Sequence, residues 1–375
     1  MLHFLVKRDH AKFIELFRKR MAPEAAARIR IIPYEDLLRM DALPSGTYIF
    51  TSLGILPRAQ RAVAAAAHEV LREAGCRILN HPEASLRRFD MLVELNRVGI
   101  NSFRPYRVES DALDTARFPV FIRESRRHTG SLTALLDSKP AVDRSLKELL
   151  ARGYHADDLI VVEYFDTSNA DGIHNKYSAF RVGDAILPRY LDFSEHWMIK
   201  RNDPGNSALM LGPRGEGFVA EEARYAADNP HADWLVSAFD VAGFQYGRMD
   251  YGVKNGVPQV FEINTSPTFG AGTGHLHPLR GPIVVKRRPT AKIFYQRFFE
   301  ALSELDDGND GQRSIPFSIE PGLKRAMAAE LRREAFVSGL SRVAKRGSDM
   351  LSSRAFDGLK SLAGPAVARA TRVLR

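Results

Sequence analysis

Cysteine is almost absent from this sequence, since Cys76 is the only one among 375 residues. A lone thiol excludes an internal disulfide, and its place between a helix-like and a strand-like stretch is typical of a small buried residue. The sequence also lacks an apolar run long enough to span a bilayer, and its N-terminus has no secretory signal pattern. We therefore expect a soluble protein with a cytoplasmic location.

Acidic residues are scarce in one part of the chain only. The whole sequence carries 54 Lys and Arg against 45 Asp and Glu, a formal net charge of +9. Residues 323–375 hold 12 Lys and Arg and 4 Asp and Glu, so +8 of that charge lies in this segment. Because the basic excess is confined there, it says little about the substrate of the rest of the chain. The segment has few aromatic residues, and we expect no nucleic-acid partner.

Residues 244–270 contain the pattern that is most informative about function. Two stretches, 244–253 and 257–263, are rich in apolar and aromatic side chains, which favours strands. Asn255-Gly256 between them is a strong signal for a tight hairpin turn. The sequence therefore predicts an antiparallel pair of strands in this region.

Three side chains with oxygen donors lie on these two strands. Asp250 and Glu262 are five or six residues before and after the turn, so we expect them to be neighbours on one face of the hairpin. Two facing carboxylates repel unless a cation lies between them. Together with Asn264 they form a donor set that suits Mg²⁺ bound with nucleotide phosphates. A surface hairpin with solvated acids is the alternative, which the apolar neighbours of Glu262 disfavour.

The spacing of these residues is similar to that of a known family. Asp250 on one strand, the letters VFEIN at 260–264, and then Pro267 and Gly270 resemble the metal-binding signature of ATP-grasp ligases. The resemblance implies an α/β (α+β) chain with an ATP-grasp fold, an N-terminal α/β pre-domain and a C-terminal basic helical tail. It also implies ATP and Mg²⁺ as cofactors, with Mn²⁺ as the alternative ion.

The same resemblance, with the composition of the chain, divides the sequence into four segments. Residues 1–104 form an N-terminal α/β pre-ATP-grasp domain, and residues 105–165 form the small ATP-grasp lobe. Residues 166–305 form the large lobe with the metal site, and residues 306–375 form a linker and a basic amphipathic helical tail. We expect this tail to contact the body, another chain or an anionic membrane surface.

The resemblance concerns two positions at which lysines of the family contact nucleotide phosphates, and this chain has another residue at each of them. At the end of the strand 118–123, Arg123 replaces one lysine, and a guanidinium can serve as a phosphate clamp. Arg126 and Thr129 lie in the loop that follows this strand. In the helix before it, Met91 replaces the other lysine. A solvated basic loop is the alternative for this region.

The strand at 158–165 matches the hinge that holds the adenine in the family. Glu163 matches the hinge acid, with a paired structural acid as the alternative, and Tyr164 and Phe165 follow it. The acid that binds ribose is Asp166 or Asp171.

Basic residues on the next strands complete the predicted site. Arg181 is the best match for an arginine that points at the active site in the family, and Lys176 and Arg189 are further contacts. The full prediction has catalytic Arg181 and Arg248; nucleotide-binding Arg123, Arg126, Thr129, Glu163, Tyr164, Phe165, Asp171, Lys176 and Arg189; and metal-binding Asp250, Glu262 and Asn264.

The implied reaction is ATP-dependent ligation that forms ADP and phosphate. A substrate carboxylate attacks the γ-phosphate to give an acylphosphate, and an amine, or less often a thiol, then displaces phosphate. The expected partners are a small-molecule or peptide carboxylate and a nucleophile, held by residues 196–217 and 271–289. His275 and His277 lack a clear third ligand, so the sequence does not favour zinc.

Two other functions remain open at this point. One is ATP-dependent transfer of a phosphoryl group to a small acceptor. The other is a low-turnover, nucleotide-binding regulatory protein, which Met91 and Arg123 in place of lysines favour. The intact set of Asp250, Glu262 and Asn264 disfavours this second alternative.

Overall fold

The computed structural model describes residues 1–127, 130–200, 204–267, 282 and 285–350, with the side chains of 204–207 and 337–350 excepted. Within these residues it forms three units, each built around its own sheet. None of the described helices is both long and apolar enough to span a membrane.

The first unit is a parallel α/β layer, as its strand–helix–strand pattern predicts. Its sheet has the order β2-β1-β4-β5, with all neighbours parallel. Short 3₁₀ turns follow β1 and β4 at the carboxyl edge of this sheet. The elements are β1 (Leu2–Val6), α1 (Ala11–Arg18), α2 (Pro23–Ala27), β2 (Ile29–Pro33), β3 (Ala42–Pro44), β4 (Thr47–Phe50), α3 (Arg58–Glu73) and β5 (Ile78–Leu79). The next helix, α4 (Arg88–Arg97), follows this unit in the chain and packs in the core of the third unit.

The second unit is a three-stranded antiparallel sheet covered by one helix. It consists of β6 (Pro105–Arg107), β7 (Val120–Glu124), α5 (Lys139–Ala151) and β8 (Leu159–Glu163), with the strand order β6-β8-β7. The apolar run of β8 is buried on both faces. Val161 packs with α5, while Ile160 and Val162 pack with the core of the third unit.

The third unit is a four-stranded antiparallel sheet with the order β10-β9-β11-β12. Helices α7 and α8 cover one face, and α9 together with the first unit covers part of the other. The elements are β9 (His174–Val182), β10 (Ala185–Ser194), α6 (Pro204–Leu211), α7 (Gly215–Asp228), α8 (Ala232–Ala242), β11 (Tyr246–Lys254), β12 (Val257–Asn264) and α9 (Arg288–Leu305).

Two asparagine side chains join the hairpin β11–β12 to the segments that precede it. The amide of Asn80 donates to the carbonyls of Phe50 and Tyr246 and accepts from the N–H groups of Gln245 and Tyr246, over 2.8–2.9 Å. Asn101 pairs in the same manner with both backbone groups of Val260 on the edge strand β12. These bonds satisfy buried backbone groups that an open sheet edge would leave unpaired.

The C-terminal segment returns to the first unit. Strand β13 (Ser314–Pro316) pairs with β3, and α10 (Pro321–Met350) packs on α3. The carboxylate of Glu330 accepts from the N–H groups of Ala59 and Gln60, which are orphan donors in the first turn of α3. The part of the predicted tail whose side chains are described therefore contacts the body.

The four bonds of Asn80 give a test of how the first and third units are joined. Asn80 and Asn255 both have positive φ, 65° and 52°, which glycine adopts without strain. Asn80→Gly leaves buried backbone groups without partners, so we expect a loss of about 3–5 kcal/mol in the free energy of unfolding. Asn255→Gly changes an exposed turn residue and should alter it by less than about 0.5 kcal/mol. Denaturant titration compares the two, and equal effects would contradict the joining role of Asn80.

Candidate active site

All three units contribute to one cavity of about 650 Å³. The first unit supplies the turns after β1 and β4, α4 supplies one face, and the second unit supplies β7 and the end of β8. The third supplies β9, β11, β12 and the segment after β10. Because the carboxyl edge of a parallel sheet borders this cavity, it lies where ligands bind in many α/β proteins.

The hairpin β11–β12 places two carboxylates side by side in this cavity. Its register pairs Asp250 directly with Glu262 and Arg248 with Asn264, as the turn at Asn255-Gly256 predicts for the carboxylates. A bulge makes this possible, because Phe261 is an extra residue between the pairs formed by Val260 and Glu262. Bulges of this kind redirect side chains next to functional sites.

Three arginines surround the two carboxylates. Arg248 binds both oxygens of Asp250, at 2.7 and 3.0 Å. Oε2 of Glu262 accepts from Nη2 of Arg88 at 2.6 Å and from Nη2 of Arg123 at 3.2 Å. Arg88 belongs to α4 and Arg123 to β7, so the carboxylate of Glu262 joins α4 and the second unit to the hairpin of the third.

Positive charge exceeds negative charge along the described part of the cavity wall. Six lining side chains are basic and three are acidic: Arg88, Arg123, Arg126, Lys176, Lys200 and Arg248 against Glu163, Asp250 and Glu262. Such a wall attracts an anion with several charges.

Arg123 is the side chain at which this excess of positive charge has a visible effect. Its Nε is buried without a hydrogen-bond partner, and burial, with Arg88 next to it, lowers the pKa of Arg123 to about 10. The site therefore fits an anion that supplies the missing acceptor.

The donors at the hairpin fit a hard divalent cation. Asp250 and Glu262 supply carboxylate oxygens on one face. The amide of Asn264 donates from Nδ2 to Oε1 of Glu262 at 3.0 Å, which directs its carbonyl oxygen away from that bond. Mg²⁺ prefers such oxygen ligands and is commonly held by one or two carboxylates together with phosphate.

Aromatic side chains form another part of the wall. The ring of Trp197 lies 5.1 Å from that of Phe121 and 5.6 Å from that of Tyr164. In β7, Val120 pairs with Glu163 and Arg123 lies three residues further along. At 3.3 Å per residue, about 10 Å therefore separates the end of the hinge strand from the arginine cluster. A flat apolar group and a polyanion can be accommodated at the two places.

Glu163, which was matched to the hinge acid, has its carboxylate bound by other side chains of the protein. The carboxylate of Glu163 accepts from the hydroxyl of Tyr106 at 2.7 Å and from the backbone and guanidinium N–H groups of Arg117. Its partners thus belong to the second unit, which is the structural alternative. Of the two acids considered for ribose, Asp166 binds Ser168 and Lys254, and these bonds, against the effect of burial, lower its pKa to about 2.

Three predicted residues lie away from the cavity wall. Arg181 points to the opposite face of β9 from Lys176 and binds Asp240 of α8, because residues five apart on a strand face opposite ways. Arg189 is buried over the rings of Tyr190, Phe294 and Tyr295. Asp171 is exposed and paired with Arg214. The structure does not bring these three to the carboxylates.

The other predicted residues that the structure describes all lie at the cavity wall. Those that line the cavity are Arg123, Arg126, Glu163, Tyr164, Phe165, Lys176, Arg248, Asp250, Glu262 and Asn264. Thr129, Gly270, His275 and His277 lie outside the described residues.

Sequence reasoning missed Arg88 as a wall residue, and it gave Trp197 and Lys200 only as part of the segment 196–217 expected to hold substrates. Arg88 lies one helical turn before Met91 on α4, so its side chain enters the cavity beside the position expected for lysine. A shift of one turn is a signal that could have been found.

A second cluster, His68, Glu69 and His81, has ligand atoms within 4.8 Å of one another. Nδ1 of His81 accepts from the N–H groups of Glu83 and Ala84. Its Nε2 therefore carries the proton and cannot bind a metal ion while that tautomer persists. We assign no metal to this cluster.

The partners of Glu163 predict a structural effect. Glu163→Gln puts an amide against the donors of Arg117, so we expect a loss of about 2 kcal/mol in the free energy of unfolding. Glu94→Gln removes the solvent-screened pair of Glu94 with Arg97 and should leave the free energy of unfolding nearly unchanged. Denaturant titration measures both. Unchanged stability with a loss of nucleotide binding in Glu163→Gln would instead support the role predicted from sequence.

No protein-family model matches the sequence, and no curated protein matches it. Solved structures do match. D-alanine–D-alanine ligase from Bacillus anthracis complexed with ATP has 12% identity, covering 80% of this chain and 98% of its own, with a TM-score of 0.42. The ATP-grasp ligase PsnB complexed with minimal precursor, Mg and ADP has 14% identity, coverage of 78% and 98%, and a TM-score of 0.42.

The RimK domain protein ATP-grasp from Sphaerobacter thermophilus DSM 20745 has 16% identity, covering 79% of this chain and 98% of its own, with a TM-score of 0.41. At such identities the likeness concerns the fold alone. The solved structures to which the chain is similar are thus ATP-grasp ligases, the family that residues 244–270 resemble.

Proposed function

We propose that the protein is an ATP-dependent ligase that joins a carboxylate to an amine or thiol through an acylphosphate. The observation that carries this proposal is the cluster at the hairpin. Asp250 and Glu262 lie side by side with Asn264, and three arginines surround them at the wall of a cavity. A divalent cation would pair with the carboxylates, and a polyphosphate would pair with the arginines.

Asp250, Glu262 and Asn264 would hold Mg²⁺. The ion would draw charge from the phosphate oxygens and so favour attack on the γ-phosphate, with ADP as the leaving group. Arg123 supplies a buried guanidinium with an unused Nε–H for a phosphate oxygen. Arg248 holds Asp250 in its orientation through two bonds. Charge neutralisation and positioning carry most of the work in phosphoryl transfer, so no nucleophilic side chain is needed.

The nucleotide base would occupy the aromatic part of the wall. Phe121, Tyr164 and Trp197 provide ring faces there. The end of the hinge strand lies about 10 Å from Arg123 by strand rise, which suits a base and its phosphates. Lys176 donates to the carbonyl of Ile199 and so holds the segment that carries Trp197. Contacts at the hinge would come from the backbone, because the carboxylate of Glu163 is already bound.

The acceptor substrates would enter beside the first unit. Ser52 follows β4 with a φ of 59°, a strained value for serine, and its hydroxyl lies 2.8 Å from that of Ser266. His10 and Phe13 line the same region. These neutral side chains leave the charged cluster to the nucleotide and suit an uncharged nucleophile. With this function, the four segments at 1–104, 105–165, 166–305 and 306–375 remain our proposal for the domains.

The carboxylates of the hairpin give the direct test. Asp250→Asn and Glu262→Gln each remove one charge from the cation site, so we expect at least about a 100-fold loss of Mg²⁺-dependent ADP formation. Asp240→Asn is the matched control, because Asp240 pairs with Arg181 on the face of the sheet away from the cavity. Circular dichroism confirms folding. Full activity in both hairpin variants would overturn the cation assignment.

A substrate screen separates the proposed reaction from the two alternatives. Purified protein is incubated with ATP, Mg²⁺ and pools of amino acids, peptides and small carboxylates, and products are detected by mass. A ligase forms ADP and phosphate only when a carboxylate and a nucleophile are both present. A stable phosphorylated product indicates a phosphotransferase, and nucleotide binding without turnover in any pool indicates a regulatory binding protein.

A further inference from the structure

The guanidinium of Arg88 bridges two units that must both contact the nucleotide in the proposed function. Its Nη1 donates to the carbonyls of Glu124, Ser125 and Arg127, at 3.2, 3.2 and 2.7 Å, and so shapes the loop after β7. Its Nη2 donates to Glu262 on β12 at 2.6 Å. The side chain is only 6% exposed, so this bond is shielded from water.

A divalent cation at Glu262 conflicts with this arrangement. Oε2 of Glu262 already accepts from Arg88 and Arg123, and a cation placed beside the same oxygen faces two guanidinium groups. Repulsion between like charges is strong where water is excluded. The cation can therefore bind well only if both arginines receive another anionic partner.

Phosphate oxygens are such a partner. A guanidinium matches two oxygens of one phosphate, and it keeps its charge at any working pH. Arg88 and Arg123 both line the cavity, so no large movement of backbone is needed for them to reach a ligand there. The exchange of Glu262 for phosphate leaves the carboxylate to the cation.

We propose that Arg88 is a phosphate-binding residue and that, with Arg123, it exchanges Glu262 for phosphate when a divalent cation binds. The cation and the nucleotide then bind tightly only together. This inference rests on the proposed function, since it assigns new residues to the same site. It differs from a merely structural role, in which Arg88 braces the loop after β7 through Nη1 alone.

The exchange predicts effects of opposite sign on two ligands. In Arg88→Gln, the guanidinium that competes with a cation for Oε2 of Glu262 is removed. We therefore expect Mn²⁺ alone to bind at least about fivefold more tightly, measured by electron paramagnetic resonance. The same variant loses a phosphate contact, so the Mg²⁺ complex of the ATP analogue AMPPNP should bind at least about tenfold more weakly by calorimetry. Arg97→Gln is the control, because Arg97 is an exposed residue of the same helix paired with Glu94.

Arg123→Gln is a second variant for the same measurements, in case loss of the Nη1 bonds prevents Arg88→Gln from folding. It should give the same opposite changes, since the side-chain bond shown for Arg123 is to Glu262. Weakening of both ligands, or no change in either, would overturn the exchange while the proposed function stands. Failure of the unaltered protein to bind the AMPPNP complex at all would overturn the proposed function and the exchange with it.

Discussion

The carboxylate of Glu262 is the group on which the arrangement of the site depends. Arg88 of α4 and Arg123 of β7 both reach it, and β12 of the third unit carries it. Removing one member of a buried ion pair costs about 3–5 kcal/mol, since it leaves an uncompensated charge. Asn80 and Asn101 hold the strands around this cluster by pairing with backbone groups of β11 and β12. The polar groups of the junction thus set the position of the hairpin, while apolar cores that are shared between neighbouring units pack the units together.

The hairpin was largely predictable because its information is local. Asn255 and Gly256 have positive φ values of 52° and 76°, as a tight turn between two strands requires. Distance from the turn then suggests which residues face each other. Counting alone leaves the register uncertain by one residue, and the bulge at Phe261 resolves it in favour of Asp250 with Glu262. The ring of Phe261 packs over Gly252, where any Cβ would lie 2.7 Å from it.

For residues outside the hairpin, the sequence was a weaker guide to which side chains face the cavity, and the physical reason differs from one residue to another. Lys176 and Arg181 are five apart on β9 and cannot both face the cavity, so alternation alone excludes one of them. Which one faces it depends on whether α8 or the first unit covers a given side, and that is tertiary information. Glu163 matched a family position, but Tyr106 and Arg117 are distant in sequence and their bonds to its carboxylate could not be inferred. Arg88 reaches Glu262 across 174 residues of sequence.

The charges around Arg88 and Arg123 suit arginine better than lysine. Arg88 and Arg123 lie beside the same carboxylate, and burial, with the charge of Arg88 next to it, lowers the pKa of Arg123. The pKa of Arg123 falls to about 10 and the group remains charged at neutral pH. A lysine begins about two units lower than an arginine, so the same burial would bring its ammonium close to neutral pH. Two cations can therefore share one buried carboxylate here because both are guanidinium groups, and this pair keeps its full charge for a phosphate.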